Sequence, residues 1–219
     1  MLLIVSCITF FLPWRIRRFI LNQFPNVSFS KGTSVGFSVI VADCIKVEAG
    51  AVIGHFNLVK GLNNFHMRSE STIGSFNWVS GYALGQGKSF KVERDPSLYM
   101  CEHSAITSRH LIDCTDSVTV GEYAIVGGYR SQILTHSINF YESVQKCKAV
   151  KIGSYSFVGT SCVLLPGVNV PNRTILSAGS IVDKRSLSNG EAVFSGPEIS
   201  AVKVIKDAKF FERIKGYVD

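Results

Sequence analysis

The stretch from Ile152 to Lys184 reads IGSYSF-VGTSCV-LLPGVN-VPNRTI-LSAGSI-VDK, and it decides the fold. Every sixth residue in it is a large aliphatic one, in the series Ile152, Val158, Leu164, Val170, Leu176 and Val182. A helix repeats about every 3.6 residues and a strand every second residue, so neither element explains a period of six. Internal repeats are typical of solenoids, in which each repeat buries its apolar side against its neighbours.

The same period occurs earlier in the chain. It begins at Phe29, slips by two residues after Phe65, resumes at Ile73 and returns at Val120. The hits before the slip are Phe29, Val35, Val41, Val47, Ile53, Val59 and Phe65, and the later ones are Ile73, Val79, Val120 and Val126. Gly often follows the apolar residue, and tight corners favour Gly and Asn. Three hexads of one short strand each would close a triangular coil of roughly 18 residues. The sequence therefore predicts an all-β parallel β-helix.

The hexads resemble those of the hexapeptide-repeat acyltransferases, over roughly residues 27–187. The segment CEHSAITSRHLIDCTDSVTVGEYAIVGGYRSQILTHSIN (101–139) is similar, more specifically, to O-acyltransferases of polysaccharide biosynthesis. The resemblance implies a left-handed β-helix, a homotrimer and acetyl-CoA as the co-substrate. The handedness comes from the resemblance, because the period alone does not show it.

Composition excludes several classes of protein. The chain has 219 residues, of which 46% are hydrophobic and 18% charged, as in a globular domain rather than a disordered chain. Its net charge of +7 favours anionic partners. The chain lacks zinc-finger spacing, an RNP-like aromatic motif and a long basic block, so we expect no nucleic-acid partner. Six cysteines without a CxxC pair favour reduced thiols in a cytoplasmic protein.

The N-terminal segment, residues 1–26, is apolar and then basic. Residues 1–12 are almost entirely apolar, and Arg15, Arg17 and Arg18 follow in a stretch expected to be helical. The apolar run is shorter than the about 20 residues that span a bilayer. It also lacks the basic start and the cleavage site of a signal peptide. Two readings stay open: a peripheral helix on the inner membrane face, or a helix packed on the domain or on a neighbouring subunit.

Departures from the repeat are where loops project and where function can be sited. They are Gly81 to Met100, Asn139 to Lys151, and the segment after Lys184. His136 lies directly before the second of them. In the resembled family the histidine at this place is the general base, and an imidazole suits proton transfer at neutral pH. We predict His136 as the catalytic base, and the candidates for the group that orients its ring are Asp113, Asp116, Glu142 and a backbone carbonyl.

The resemblance also implies an acceptor pocket. By match to the family's motif, its members are Ser108, Arg109, His110, Asp113 and Asn139. The sugar acetyltransferases commonly read His-Pro-Leu-Asp at the base, whereas this chain reads His136-Ser137-Ile138-Asn139. The acceptor contacts are therefore expected to differ from those of the family.

An alternative role for the histidines is to bind zinc. Gamma-class carbonic anhydrases share the β-helix and hold zinc with three histidines. His103, His110 and His136 lack the close pair of that family, so we expect no metal.

The resemblance places the acyl-CoA in a groove between subunits. Thr160 in VGTSCV and Ala178 in LSAGSI would line the groove, and Lys184 in IVDK matches a lysine that reaches the nucleotide phosphates. Arg173 and Arg185 are weaker candidates. The family's Gly-x-Pro-Ala-Lys is replaced here by Gly196-Pro197-Glu198-Ile199-Ser200, which leaves Lys203 as a candidate substitute.

The C-terminal extension, residues 188–219, contains apolar residues at helical spacing over 198–215. They are Ile199, Val202, Ile205, Ala208, Phe211 and Ile214. The spacing predicts an amphipathic α-helix that covers one end of the β-helix, where the last coil exposes unpaired strand edges.

Together these features favour an acetyl-CoA-dependent O-acyltransferase with a sugar hydroxyl of a polysaccharide precursor as the acceptor. The alternatives are N-acylation of an amino sugar and a non-catalytic β-helix scaffold.

Overall fold

The computed structural model describes residues 1–82, 93–184, 187, 190–196, 200–205 and 207–218. Two α-helices, α1 Leu2–Ile8 and α2 Trp14–Leu21, precede the strands, and a 3-10 helix spans Lys209–Glu212. In chain order the strands are β1 Val27–Phe29, β2 Ser34–Val35, β3 Val39–Val47, β4 Val52–Ile53, β5 Leu58–Met67, β6 Thr72–Ile73, β7 Trp78–Gly81, β8 Ser97–Met100, β9 Ala105–Ile106, β10 Leu111–Cys114, β11 Val118–Val120, β12 Ile125–Val126, β13 Gln132–Ile133, β14 His136–Asn139, β15 Val144–Cys147, β16 Val150–Ile152, β17 Phe157–Val158, β18 Val163–Leu164, β19 Asn169–Val170, β20 Ile175–Leu176, β21 Ile181–Val182, β22 Ala192–Ser195 and β23 Ser200–Val204. Much of the first predicted loop (83–92), together with Arg185, Glu198 and Ile199, lies outside the described residues.

The strands wind into a three-faced prism. Face 1 contains β8, β11, β16 and β19, face 2 contains β6, β9, β12, β17 and β20, and face 3 contains β7, β10, β13, β18 and β21, each paired in parallel with the next coil. Faces 1 and 3 form one continuous sheet because β5 bends between them: Leu58–Lys60 pairs with β7, and Asn64–Met67 pairs with β8. The predicted fold, an all-β left-handed β-helix, is confirmed.

The residues predicted by the hexads are buried in the core, with one exception. Columns such as Ile53, Ile73, Val126 and Val158 are fully buried inside the prism. Val41 is only half-buried, and its neighbours Ile40 and Ala42 are buried instead. The reason is that β3 runs around a corner without a turn, and its register shifts between Ile40 and Ala42. The slip after Phe65 has the same origin, since β5 also runs through that corner.

The corners differ from the glycine-rich turns that we expected. Left-handed backbone angles at successive corners occur at Phe56, Phe76, Arg109, Arg130 and Ser161. A side chain pays a steric cost in this conformation. Hydrogen bonds between coils offset that cost, as from the amide of Phe76 to the carbonyl of His55 at 2.9 Å. Glycine is instead required directly after the short strand, where successive coils approach closely: a Cβ on Gly54 would lie 2.6 Å from the carbonyl oxygen of Gly74.

A ladder of buried polar side chains runs along the edge between faces 2 and 3. Its members are Ser38, Asn57, Asn77, His110 and Ser131, one in each successive coil. The backbone amide of Asn77 donates to Asn57 Oδ1 at 2.8 Å, and the backbone amide of His110 donates to Asn77 Oδ1 at 2.9 Å. Because buried polar groups are costly unless they are bonded, the ladder specifies the register of the coils.

We expect His110 to make the fold sensitive to acid. The imidazole is 1% exposed, and burial lowers its pKa from 6.5 to about 4. The unfolded chain therefore binds a proton between these pH values while the folded chain does not, so stability is full above pH 6.5 and falls as the pH drops toward 4. The loss is about 3 kcal/mol of unfolding free energy. Denaturant titrations from pH 7 to 4 should show a shallower decline for His110→Asn than for the wild type; equal slopes would contradict the assignment.

The N-terminal helix α2 packs on the first coil. The indole of Trp14 donates to the carbonyl of Thr33 at 2.7 Å, and the buried guanidinium of Arg17 donates to the carbonyls of Gly36 and Ser38. Leu21 joins the core. Of the two readings, packing on the domain is therefore observed for α2. Within the described part of the chain, no helix is both long and apolar enough to cross a bilayer.

The predicted C-terminal α-helix is wrong where the structure describes that segment. Strand β23 pairs antiparallel with β22, which itself pairs in parallel with β20. The prism therefore continues past residue 187, where we expected it to end. The physical reason is that β22 offers a free strand edge, and Val202 and Val204 are β-branched residues that favour extended backbone. Hydrogen bonding at this edge outweighs the helical spacing of the apolar residues.

Candidate active site

His136 lies at the base of a hairpin that leaves the edge between faces 3 and 1. We name this the hairpin edge, formed by Thr115–Ser117, 134–149, Leu165–Gly167 and Asp183–Lys184. Strands β14 and β15 pair antiparallel from His136 opposite Cys147 to Asn139 opposite Val144. The amide of Lys148 closes the hairpin by donating to the carbonyl of Thr135. The loop predicted after His136 is therefore an ordered β-hairpin.

Asp113, at the end of β10 in the preceding coil, holds the ring of His136. Nδ1 of His136 lies 2.6 Å from Asp113 Oδ2, and the side chains are 39% and 16% exposed, respectively. Among the candidates for the orienting group, the structure selects Asp113. The two residues lie far apart in sequence, and the coil brings them together because one turn of the prism separates them.

Two threonines fix the carboxylate. Thr115 donates to Asp113 Oδ1 from its amide at 3.0 Å and from its hydroxyl at 2.6 Å. The amide of Thr135 donates to Oδ2 at 2.9 Å. Neither the repeat nor the family motif marks these two threonines. A signal was present, because a threonine two residues after an aspartate is typical of a turn in which the carboxylate accepts from the backbone.

These contacts keep Asp113 ionised. Burial by itself would raise the pKa of Asp113, but the hydrogen bonds from Thr115 and Thr135, with the neighbouring His136, hold that pKa below 3.8. An ionised carboxylate only accepts hydrogen bonds, so Nδ1 of His136 carries the proton. In the neutral ring Nε2 is then the acceptor, and none of the described residues forms a hydrogen bond to it. The pair presents a proton acceptor to the surface.

The other acidic candidates have different tasks. Asp116 Oδ1 accepts from the amides of Asp95 and Ser117 and so shapes the turn before β11. Glu142 pairs with Lys146 across the hairpin at 2.8 Å. Asn139 Oδ1 accepts from the amides of Tyr141 and Glu142, so its side chain caps the hairpin turn.

Three residues assigned to the acceptor pocket lie on a different edge. Ser108, Arg109 and His110 belong to the edge between faces 2 and 3, whereas Asp113 and His136 lie across face 3 from them. The role of His110 as an acceptor contact needs correction, because its ring is buried. Its Nδ1 accepts from Ser131, and its Nε2 bonds Thr107 Oγ1 at 2.9 Å. Arg109 is exposed and lies over the ring of Phe76.

The candidate CoA residues also divide between the two edges. Thr160 and Ala178 occupy the same position in successive coils on the edge between faces 2 and 3, and a Cβ on Gly128 in the coil before would reach Thr160. Lys184 is exposed on the hairpin edge, two coils from Thr135. Within one chain, the structure does not bring Thr160 and Ala178 together with His136.

A shallow groove on face 3 leads to Asp113. It encloses ≈ 360 Å³ and is lined by Trp78, Ser80, Leu111, Ile112, Asp113, Gln132 and Leu134. The outward side chains of Trp78 and Leu111 are half-exposed apolar groups. The repeat pattern did not indicate this groove, because it predicts only the inward residues.

In the described part of the chain, no group of three His, Cys, Asp or Glu side chains could hold a metal ion. Its six cysteines, two of them exposed, are all free thiols.

No family model matches the chain, and no curated protein matches it in sequence. Several solved structures are similar to the chain in fold. A hexapeptide-repeat-containing acetyltransferase from Vibrio cholerae, VCA0836, is 20% identical with a TM-score of 0.47, and the match covers 50% of this chain and 64% of that one.

Two further structures match over more of the chain. The N-acyltransferase AntD from Bacillus cereus, solved with a dTDP-amino sugar and coenzyme A, is 15% identical over 86% of this chain and 85% of that one, with a TM-score of 0.44. The polySia-specific acetyltransferase NeuO is 14% identical over 82% and 87%, with a TM-score of 0.45. The solved structures to which this chain is similar thus include hexapeptide-repeat acetyltransferases.

Proposed function

We propose that the protein is an acyltransferase that moves an acetyl group from acetyl-CoA to a hydroxyl of a sugar or polysaccharide precursor. The observation that carries the proposal is the contact between His136 and Asp113. The carboxylate fixes the ring and its tautomer, and Nε2 faces outward as a proton acceptor. This is the arrangement that general-base catalysis requires.

The chemistry follows from that geometry. Nε2 of His136 takes the proton of the acceptor hydroxyl, and the oxygen forms a bond to the thioester carbonyl carbon. The carbon–sulfur bond then breaks, and the thiolate of CoA recovers the proton from the imidazolium. Asp113 remains ionised throughout and stabilises the imidazolium between the two steps. The acyl group passes directly to the acceptor, so no covalent enzyme intermediate is needed.

The division of residues between two edges supports a homotrimer. Thr160 and Ala178 lie across face 3 from His136, and both sets can contact one CoA if the edges come from neighbouring subunits. The half-exposed Trp78 and Leu111 on face 3 provide an apolar surface that a neighbour would cover. We assign Lys184, which is exposed on the hairpin edge with His136, to the CoA phosphates.

We expect Leu111→Asp to separate the subunits and to abolish turnover. The side chain is half-exposed in the single chain, so the coil should still fold, whereas an aspartate inside an apolar interface would be desolvated without a partner. Sedimentation equilibrium would compare its mass with that of Val202→Asp, a control at an exposed valine of β23. A trimeric Leu111→Asp would contradict this interface.

The function itself is tested by release of the CoA thiol from acetyl-CoA in the presence of glycan acceptors. Candidate acceptors include neutral sugars, polysaccharide precursors and amino sugars, and product analysis separates esters from amides. Ester formation that depends on His136 would support the proposal. Amide products alone would favour the N-acyltransferase, and binding of glycans without turnover would favour the scaffold.

A further inference from the structure

The N-terminal helices carry an apolar surface that the proposed reaction does not use. Among the described residues, large apolar side chains that remain exposed are concentrated between Met1 and Phe19. They are Met1, Leu3, Ile4, Ile8, Phe11, Leu12, Ile16 and Phe19. Ile8, Phe11 and Phe19 are 75%, 82% and 70% exposed, respectively. A monomeric soluble protein rarely leaves so many large apolar groups in water within one short segment.

Helix α1 buries only part of its apolar surface: Leu2 and Val5 pack against the core, but they share this inner side with polar residues. Its polar Ser6 is buried, and so is Thr9, the residue that follows the helix. The hydroxyl of Thr9 donates to the carbonyl of Val5 at 2.7 Å. Leu3, Ile4 and Ile8 point away from the domain instead. Since a helix normally turns its apolar side to the core, α1 is oriented to meet an apolar medium on its outer side.

The segment is held firmly by polar contacts on its inner side. Besides the contacts of Trp14 and Arg17, the guanidinium of Arg18 donates to the carbonyl of Ser30 at 3.0 Å. Asn22 exchanges two hydrogen bonds with the backbone of Phe29. Rings of Phe10 and Phe11 contact Phe37 of the first coils. The outward apolar residues therefore belong to a structured cap and not to a loose tail.

The charge of this end points to the chemistry of its partner. No Asp or Glu precedes Asp43, whereas Arg15, Arg17, Arg18 and Lys31 all lie before it. Arg15 and Lys31 are exposed. Apolar side chains flanked by cations, without any acidic residue, complement a surface with anionic headgroups above an apolar interior. An interface between two copies would bring these like charges together without a counter-charge from the same segment.

We infer that residues 1–31 dock the protein on an anionic lipid bilayer, with the outer sides of α1 and α2 inserted at the level of the headgroups and Arg15 and Lys31 beside the phosphates. The helices are too short to span, so the protein would lie on the surface. This inference does not depend on the acyltransferase proposal, because it uses no residue of that site.

Co-sedimentation of the full chain with vesicles tests the inference. We expect binding to vesicles of phosphatidylcholine with phosphatidylglycerol, and much weaker binding to phosphatidylcholine alone. Ile8→Ser/Phe11→Ser/Phe19→Ser should lower the affinity at least about tenfold, and Arg15→Gln/Lys31→Gln should lower it only on the anionic vesicles. Val202→Ser/Val204→Ser, at exposed apolar residues of β23, is the matched control and should bind as the wild type does.

Other results would overturn the inference. Failure of the wild type to bind anionic vesicles would do so, as would equal binding by the triple serine variant. If that variant instead forms smaller oligomers in solution, by sedimentation equilibrium without lipid, the surface is an interface between copies. Acetyl transfer to a soluble acceptor should be unchanged in the triple variant, so the outcome here and the outcome for the proposed function are separable.

Discussion

His136→Ala should lower kcat for the proposed acetyl transfer by about a thousandfold, because the acceptor hydroxyl would lose the proposed general base. KM for acetyl-CoA should change little, since Thr160, Ala178 and Lys184 are the proposed CoA contacts. The measurement is steady-state release of the CoA thiol at saturating acceptor. His136 is partly exposed and leaves the prism core intact, so the variant should fold with an unchanged melting temperature.

His103→Ala is the matched control. His103 stacks on Tyr123 at 4.7 Å between ring centroids, at the corner between faces 1 and 2, far from the hairpin edge. It should retain nearly full activity. Equal rates in His136→Ala and the wild type would remove the general-base proposal, whichever acceptor is used.

Asp113→Asn should lower kcat by about a hundredfold while leaving His136 in place. An asparagine presents either an amide NH₂ or a neutral oxygen to Nδ1, so the ring is no longer held in the tautomer that leaves Nε2 free to accept a proton. The imidazolium formed during transfer also loses its counter-charge. The double variant with His136→Ala should be no slower than His136→Ala alone, because the two residues act as one unit.

Asp116→Asn controls for the loss of a carboxylate in the same turn. The carboxylate of Asp116 accepts two backbone hydrogen bonds and does not contact His136. Its activity should remain within a few-fold of the wild type.

The pH dependence of stability gives a second readout for Asp113. Its pKa is held below 3.8, so its contribution to stability is full above that pH and is lost as the pH falls through the lower folded value. Asp113→Asn should show none of this loss. An acid-side stability profile identical to that of the wild type would place the carboxylate outside the network of Thr115 and Thr135.

The repeat was enough to predict the prism, and all but one of the residues that it marks are buried. It did not mark other core residues, such as Leu98, Ile106 and Ile133. A period of six leaves little choice of fold, because one apolar residue per short strand can be buried only if every third strand stacks on the same face. Val41 deviates because a strand that rounds a corner inserts residues that the period does not count. His136 was also identifiable as a candidate site residue, since it marks the end of a regular run and the start of an insertion and matches the position of the base in the resembled family.

The tertiary structure decided which side chains meet. Asp113 was one of several candidates until the coil register placed its carboxylate 2.6 Å from His136, and His110 was assigned to the acceptor until the prism enclosed its ring. Whether a residue lies on the hairpin edge or on the edge between faces 2 and 3 depends on the lengths of all the corners before it. Local sequence does not encode that total length. The conformation of β23 also depends on the tertiary structure. It follows from the free edge of β22, which exists only after the coils have stacked.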